Sequence, residues 1–279
     1  MRREDFEFLA DFLKQRSGLW LHDNKAELIE RRLSLLAERS GLVSLSALIG
    51  ELRAGNESLA RAVSEAVAIR DTSFFRDAAA FDTFRDEIVP ALIHANSAKR
   101  CLRIWCAGAA TGQEPYSLAM LLDGLPQLAG WAVDIFATDA SAEAITRAEA
   151  GVYTHSEVQR GLPVPLLARH FRQEGDCWRA AKTLRRQVRF GVFNLIESFA
   201  ELGSFDAIFC RNVLIYFDQS MKIDILARLR QALEPDGYLV LGAAESVLGL
   251  NRGFAPVFDW PGIYVRTRRA HGRRSAATG

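Results

Sequence analysis

Cys106-Ala-Gly-Ala-Ala-Thr-Gly-Gln-Glu-Pro-Tyr-Ser-Leu-Ala119 follows directly on the apolar run LRIWCA, residues 102–107. The run reads as a strand and the segment after it as a tight turn opening a helix. Gly108 and Gly112 let the backbone turn sharply and approach a ligand closely. Pro115 suits the first helical turn, where its missing N–H costs nothing. Such a turn delivers a ligand to a helix N-terminus, in the crevice at the carboxyl end of a sheet. G-K-[ST] is absent, so the turn is not a P-loop, and G-x-G-x-x-G is absent, so a pyrophosphate cradle is poorly supported. Glu114 at the helix start would repel a pyrophosphate but suits a cationic ligand. The bland alternative, a purely structural glycine turn, stays open at this point.

Working outward, further strand candidates are VDIFATDAS (133–141), VRFGVFN (188–194), FDAIFCRN (205–212) and GYLVLGAAES (237–246), with FDWPGIYVRTR (258–268) as a closing hairpin strand. Helical patterns at 114–123, 141–150 and 220–233 lie between them. This alternation argues an α/β protein with a parallel sheet covered on both faces. Residues 151–187 interrupt it. Within them FRQEGDCWRAAKTLRRQVRF suggests two short strands joined at Glu174–Gly175–Asp176, an inserted β subdomain at about 169–190, since the stretch exceeds an ordinary connection. Upstream, helices are expected over 6–18, from a cap at Asp23 or Asn24 to Arg39, from a cap at Ser44 to Gly55, and from Glu57 to Ile69. The expected division is a helical domain over 1–75, a second domain over 76–268 and a basic tail over 269–279, to which no function is assigned.

The 279 residues are 49% apolar and 25% charged, which excludes wholesale disorder. Lys+Arg is 35 against Asp+Glu 34, so bulk charge gives no reason to expect a nucleic-acid partner. No run of about 18 apolar residues suggests a membrane span. The start, MRREDFEFLADFLKQ, mixes acids into its apolar residues, unlike a secretory leader, so a cytoplasmic location is expected. Cys101, Cys106, Cys177 and Cys210 lack C-x-x-C spacing and read as reduced, buried thiols. His22, His94, His155, His170 and His271 form no ligand-spaced cluster, so no metal is expected.

Other chemistry-bearing residues sit at strand ends. Asp139 ends the second strand, where a carboxylate can accept both hydroxyls of a ribose; alone it is equally a helix cap, with Ser141. Asn194 or its backbone can pair with an adenine edge, and Leu195 can line the base. Arg211-Asn212 closes the fourth strand, ahead of Tyr216 and Phe217. Leu233-Glu-Pro-Asp-Gly237 reads as a helix end, a turn and a strand start. Upstream, Thr72 and Arg76 would share a face if Asp71–Asp77 were helical and could together hold a carboxylate, while Phe74 and Phe75 read as core. On the second helix Lys25, Arg32 and Arg39 recur every seven residues inside the arc of its leucines. They are either basic side chains snorkelling from a packed face or a half-apolar basic face for an acidic partner.

Thr72-x-Phe-Phe-Arg76, Trp105-Cys-Ala, Gly112-Gln-Glu-Pro-Tyr-Ser117, Asp139, Asn194-Leu195 and Phe209-Cys-Arg-Asn-Val-Leu-Ile-Tyr-Phe-Asp218 together resemble the CheR family, the bacterial chemotaxis receptor protein-glutamate O-methyltransferases. The similarity runs from the helical domain to about Arg268. It implies a class I, Rossmann-like methyltransferase domain with an N-terminal helical domain and a small inserted β subdomain, and the Leu233–Gly237 phrase suits such sheets. It implies S-adenosylmethionine as cofactor and S-adenosylhomocysteine as product. Thr72 and Arg76 match positions at the methionyl end, and Glu114 matches one near the amino and sulfonium groups. Asp139 matches the ribose ligand, Asn194, Leu195, Arg211 and Asn212 the surroundings of the adenosyl and methionyl parts, and Tyr216 a catalytic tyrosine beside the transferable methyl. Arg70 departs from the family's usual asparagine and is assigned to cofactor or acidic substrate. The resemblance implies methyl transfer to glutamate side chains of chemotaxis receptors in sensory adaptation. The expected partners are thus receptor helices rich in glutamate, met by Lys25, Arg32 and Arg39, and the enzyme is expected to be a monomer. A non-catalytic S-adenosylmethionine-binding regulator, an NAD-dependent oxidoreductase and a small-molecule methyltransferase are the competing readings.

Overall fold

The computed structural model describes residues 1–21 and 26–267. The capping residues expected at Asp23 or Asn24, as well as Lys25 and the tail 269–279, therefore lie outside the described residues. The first four helices are α1 (Arg3–Ser17), α2 (Ala26–Arg39), α3 (Leu45–Arg53) and α4 (Glu57–Val67). Local chemistry sets their ends. Gly18 stops α1, while the side chains of Ser44 and Asn56 accept from the amides of Ala47 and Leu59 to start α3 and α4. Their apolar faces converge in a core of their own around Leu9, Leu13, Leu33, Leu48 and Val63, all fully buried. Fully burying one such side chain is worth roughly 1.5–3 kcal/mol.

Residues 68–77 are not helical. The expectation that Thr72 and Arg76 share a helix face is thereby corrected: a turn at Phe74-Phe75 brings them to the site instead. Phe74 is fully buried, and Phe75 is partly buried against the same core. Next come α5 (Ala78–Thr83), a π-helical turn over Phe84–Ile88 and α6 (Val89–Ala95), which the sequence pattern does not announce. The α/β part follows: β1 (Cys101–Ala107), α7 (Gln113–Asp123), β2 (Ala132–Asp139), α8 (Ala142–Ala150), β3 (Val152–Thr154), α9 (His155–Gln159), α10 (Val164–His170), β4 (Phe171–Glu174), β5 (Cys177–Ala180), α11 (Lys182–Arg185), β6 (Val188–Val192), β7 (Phe205–Cys210), α12 (Gln219–Ala232), β8 (Leu233–Leu241), β9 (Phe254–Pro256) and β10 (Ile263–Arg266).

Seven strands form one sheet in the order β6-β2-β1-β7-β8-β10-β9. The first five run parallel, and β10 and β9 are antiparallel additions. Because β7 is wholly buried, its sequence does not alternate but is apolar throughout except for Asp206, whose carboxylate accepts from Asn96 Nδ2 and the Arg103 amide. Two cores cover the faces, one built around Phe84, Ile104 and Tyr116, the other around Trp105, Phe205 and Leu229. From β1 the chain moves outward through β2 to β6, then returns to β7 and β8 on the other side. The switch point thus lies between β1 and β7, where ligands bind in open sheets of this kind.

Two local expectations change. Leu233–Gly237 is not a turn but the start of β8, accommodated by a register shift between Phe205 and Ala207. The inserted β subdomain, a three-stranded antiparallel sheet β3-β5-β4, draws one strand from Val152–Thr154, ahead of the 169–190 stretch, and returns the chain to the main sheet at Val188. Among the described residues no helix is long and apolar enough to cross a membrane. All four cysteines are free; Cys106 and Cys210 are buried, but Cys101 and Cys177 are only half-buried.

Candidate functional site

A cavity of about 660 Å³ opens at the switch point. Its walls are the turns after β1, β2, β6 and β7, closed on the remaining side by the end of α1, by α4 and by the segment after α4. The turn after β1 is held from two directions. The amides of Gly108 and Ala109 both donate to the Thr138 carbonyl at 2.8 Å, and the Ala110 amide donates to Asp139 Oδ2 at 2.9 Å. Gly112 sits at φ 93°, where a Cβ would lie 2.8 Å from that of Ala148 and 3.1 Å from the Tyr153 hydroxyl. That hydroxyl donates to the Thr111 carbonyl at 2.8 Å, so the inserted sheet buttresses the turn directly.

Thr72, Arg76, Glu114, Asp139, Asn194, Leu195, Arg211, Asn212 and Tyr216 all border this one cavity. Asp139 is half-buried at its rim. Its Oδ1 accepts from the Ser141 amide and its Oδ2 from that of Ala110, each at 2.9 Å. A carboxylate offers about four lone-pair positions, so two acceptors stay open for hydroxyl groups. Burial raises its pKa above the ordinary aspartate range, against the two backbone bonds that lower it. The capping alternative falls to its neighbour: Ser141 Oγ accepts from the Ala144 amide and starts α8.

Glu114 stands at the first turn of α7, where its carboxylate accepts from Arg211 Nη1 at 3.1 Å. Burial pushes its pKa up while Arg211 pulls it down. Arg211 is buried, with Nη2 donating to Asp77 and to the Arg76 carbonyl at 2.7 Å, and its Nε lacks a hydrogen-bond partner. Arg76 donates to the Asp71 carbonyl at 2.9 Å, while Asp71, held below the usual carboxylate range mainly by Arg160, lies between the two arginines. Tyr216 ends the single turn Leu214–Tyr216; burial raises the pKa of its hydroxyl, Arg76 opposing, so it is a donor at neutral pH. Asn194 does more than face the cavity: its Nδ2 donates to the Arg16 carbonyl at 3.0 Å, fastening the end of α1 to the sheet.

Arg70 does not belong to this set. It is not among the cavity-lining residues; its Nη2 lies 2.9 Å from both Glu65 and Glu143, and its Nε is buried without a partner. The basic stripe is also broken up. Lys25 is outside the described residues, Arg32 Nη1 reaches the carbonyls of Ala66, Val67 and Ala68 at the end of α4, and of the described pair only Arg39 is exposed. Arg32 caps that helix against its exposed carbonyls, a packing task and not a free surface charge.

Two further carboxylates, Glu65 and Glu245, hold the site's loops and helix ends. Glu65, from α4, accepts from the Ala142 amide at 2.8 Å and from Ser141 Oγ, capping α8 from the other domain. Glu245 binds the loop after β7. No local signal identifies Glu65 as a cap of α8, whose Ser141 and Ala142 lie 76 and 77 residues away. For Glu245 the spacing Gly242-x-x-Glu245 after a strand was a usable hint.

The cavity fits a nucleoside bearing a zwitterionic amino acid. Asp139 offers free acceptors, Leu195 is an apolar wall beside Asn194, and Thr72 and Arg76 offer donors for a carboxylate. Glu114 offers an anion for a cationic centre, and the volume falls within the usual range for small-molecule sites. Among the described residues no group of three His, Cys, Asp or Glu side chains stands together as a metal site.

A family model described as CheR methyltransferase, SAM binding domain, matches residues 70–259, and one described as CheR methyltransferase, all-alpha domain, matches residues 4–67. Chemotaxis protein methyltransferase 1 of Pseudomonas aeruginosa is 40% identical over 270 residues, covering 95% of this chain and 98% of the relative. Chemotaxis protein methyltransferase Cher2 of Pseudomonas putida is 38% identical over 271 residues, at 95% and 98% coverage. The chemotaxis protein methyltransferase of Escherichia coli is 33% identical over 254 residues, covering 89% of this chain and 86% of the relative.

Proposed function

Since the chain belongs to the CheR methyltransferase family, and is thus an S-adenosylmethionine-dependent methyltransferase of chemotaxis, we propose that it esterifies glutamate side chains of chemotaxis receptors in the cytoplasm. The observation that carries this reading is the meeting of Asp139, Glu114–Arg211, Arg76 and Tyr216 at one cavity. When bound, S-adenosylmethionine supplies an electrophilic methyl group on sulfur. In the proposal Asp139 takes the ribose, Asn194 and Leu195 the adenine, and Thr72 and Arg76 the methionyl carboxylate. Glu114, held by Arg211, faces the positive end, and Asn212 borders the methionyl part. A free glutamate has a pKa of about 4.3 and is already ionised at neutral pH, so the acceptor needs no general base. What the residues contribute is alignment and exclusion of water, with the Tyr216 hydroxyl donating to and orienting the acceptor carboxylate.

The test is transfer of labelled methyl from S-adenosylmethionine to receptor-containing membranes. A base-labile product supports a glutamate ester; a base-stable one, or transfer to small molecules alone, overturns the reading. Tyr216→Phe separates turnover from binding. Losing one hydrogen bond made in the transition state lowers kcat by about tenfold, roughly 1.4 kcal/mol, with the dissociation constant of S-adenosylhomocysteine nearly unchanged. Equal loss in both would make Tyr216 a binding residue only.

For the substrate face, Arg39 on α2 stays available to an acidic helix, while Arg32 does not. An exposed ion pair is worth about 0–1 kcal/mol. Arg39→Glu is therefore expected to raise KM for receptor by a few-fold at most and to leave cofactor binding intact, the difference shrinking at high salt. A KM identical to that of the unaltered enzyme at low salt removes α2 from the docking surface.

A further inference from the structure

Strands β7 and β8 end side by side at Cys210 and Leu241, and the amides just past those ends need an acceptor outside the ladder. Glu245 supplies one. Its Oε2 accepts from the Asn212 amide at 2.7 Å and from that of Gly242 at 2.8 Å, and its Oε1 accepts from Val213 at 2.9 Å and from Ile215 at 3.3 Å. The residue is 8% exposed. Its own amide donates back to the Gly242 carbonyl at 2.9 Å, which pins the carboxylate to the end of β8. Gly242 leaves the necessary room: a Cβ there would lie 2.7 Å from Asn212 Nδ2 and 2.9 Å from Glu245 Oε2.

The loop so gripped is the one that carries the chemistry. It begins at Arg211, passes Asn212 in the left-handed region at φ 58°, uncommon for a residue other than glycine, and ends at Tyr216. An outlying backbone conformation persists only where its surroundings over-determine it. Here three of the amides bound by Glu245 belong to the loop, and the Trp20 amide holds the Tyr216 carbonyl from the helical domain at 2.8 Å. We propose that Glu245 is the positioning residue that holds the Asn212–Tyr216 loop in the geometry for methyl transfer, acting through Tyr216 without lining the cavity. The inference rests on the role given above to Tyr216.

Glutamine is the informative replacement. It keeps the length of the side chain but turns one oxygen, which serves two amides, into an N–H₂ that faces donors. In the full-length enzyme Glu245→Gln is expected to lower kcat at least tenfold, to raise the dissociation constant of S-adenosylhomocysteine by a smaller factor, and to speed amide exchange over residues 211–217. Combined with Tyr216→Phe it should cost little beyond the slower single variant, because both remove one function. Unchanged kcat, or a double variant whose losses multiply, overturns the proposal. Normal turnover of Tyr216→Phe alone would defeat the Tyr216 reading by itself; Glu245→Gln must then still lower kcat and loosen residues 211–217, or the Glu245 proposal falls too. If Glu245→Gln fails to bind S-adenosylhomocysteine because it does not fold, Glu245→Asp takes its place under the same criteria, its carboxylate one methylene too short to reach both strand ends.

Discussion

Replacing Arg211 by methionine is expected to destabilise the protein by about 3–5 kcal/mol, the usual cost of breaking a buried ion pair from one side. The Arg211 side chain is 2% exposed and that of Glu114 13%. Without the guanidinium, Glu114 keeps its burial and loses the charge that offset it. Asp77 and the Arg76 carbonyl lose a donor at the same time. Urea unfolding at pH 7, with an unchanged m-value, measures the loss. The pH dependence has a definite sign. Burial already raises the Glu114 pKa, and removing Arg211, which lowers it, raises it further. The folded variant then binds more protons than the unfolded chain between the two pKa values, so its stability falls as pH rises through that window. The deficit against the unaltered protein should be smaller near pH 5 than near pH 8. Adding Glu114→Gln should recover part of it, since a neutral amide costs less to bury than an unpaired carboxylate. A deficit below about 1 kcal/mol, independent of pH, would show that Glu114 is not held by this pair.

Asp139→Ala carries the second large effect, on cofactor affinity. Calorimetry should show S-adenosylmethionine bound more weakly by about 1–3 kcal/mol, the cost of leaving the ligand's hydrogen bonds unmade once it is taken out of water. That corresponds to roughly 5- to 150-fold in dissociation constant. Part of the loss is indirect, because the amides of Ala110 and Ser141 also lose their acceptor. Asp139→Asn separates the two contributions: it keeps one carbonyl oxygen and most of the shape while removing the charge. Full affinity in Asp139→Ala, in a protein shown to be folded, would exclude Asp139 from the ribose site.

Much of the site was legible because strand ends in a parallel sheet concentrate it. The turn after LRIWCA, Asp139 at the end of β2, Asn194-Leu195 after β6 and Arg211-Asn212 after β7 each close an apolar run, so one fold-level idea brings them together. The residues that escaped make contacts local in neither sequence nor periodicity. Glu65 caps a helix that begins far along the chain, and Arg32 closes the end of α4, 34 to 36 residues away. Periodicity puts Arg32 on a stripe with Lys25 and Arg39, but a stripe does not reveal which helix end a side chain meets. Arg70 occupies a position where the family usually has asparagine, and its guanidinium is engaged by Glu65 and Glu143.

By itself the chain's sequence determined what local chemistry decides. Period-2 and continuous apolar runs alternating with helical ones impose a parallel sheet, glycine at 108 and 112 imposes the turn, and Ser44, Asn56, Ser141 and Asp218 impose helix starts through their own side chains. Only the tertiary structure decided which charges are used up. Whether Glu114, Arg211, Glu245 or Arg32 is a free group or a tied one depends on partners brought from distant segments to within about 3.5 Å, the reach of a hydrogen bond. Burial at those places makes an unpaired charge costly, so the fold, and not the residue type, settles what each one does.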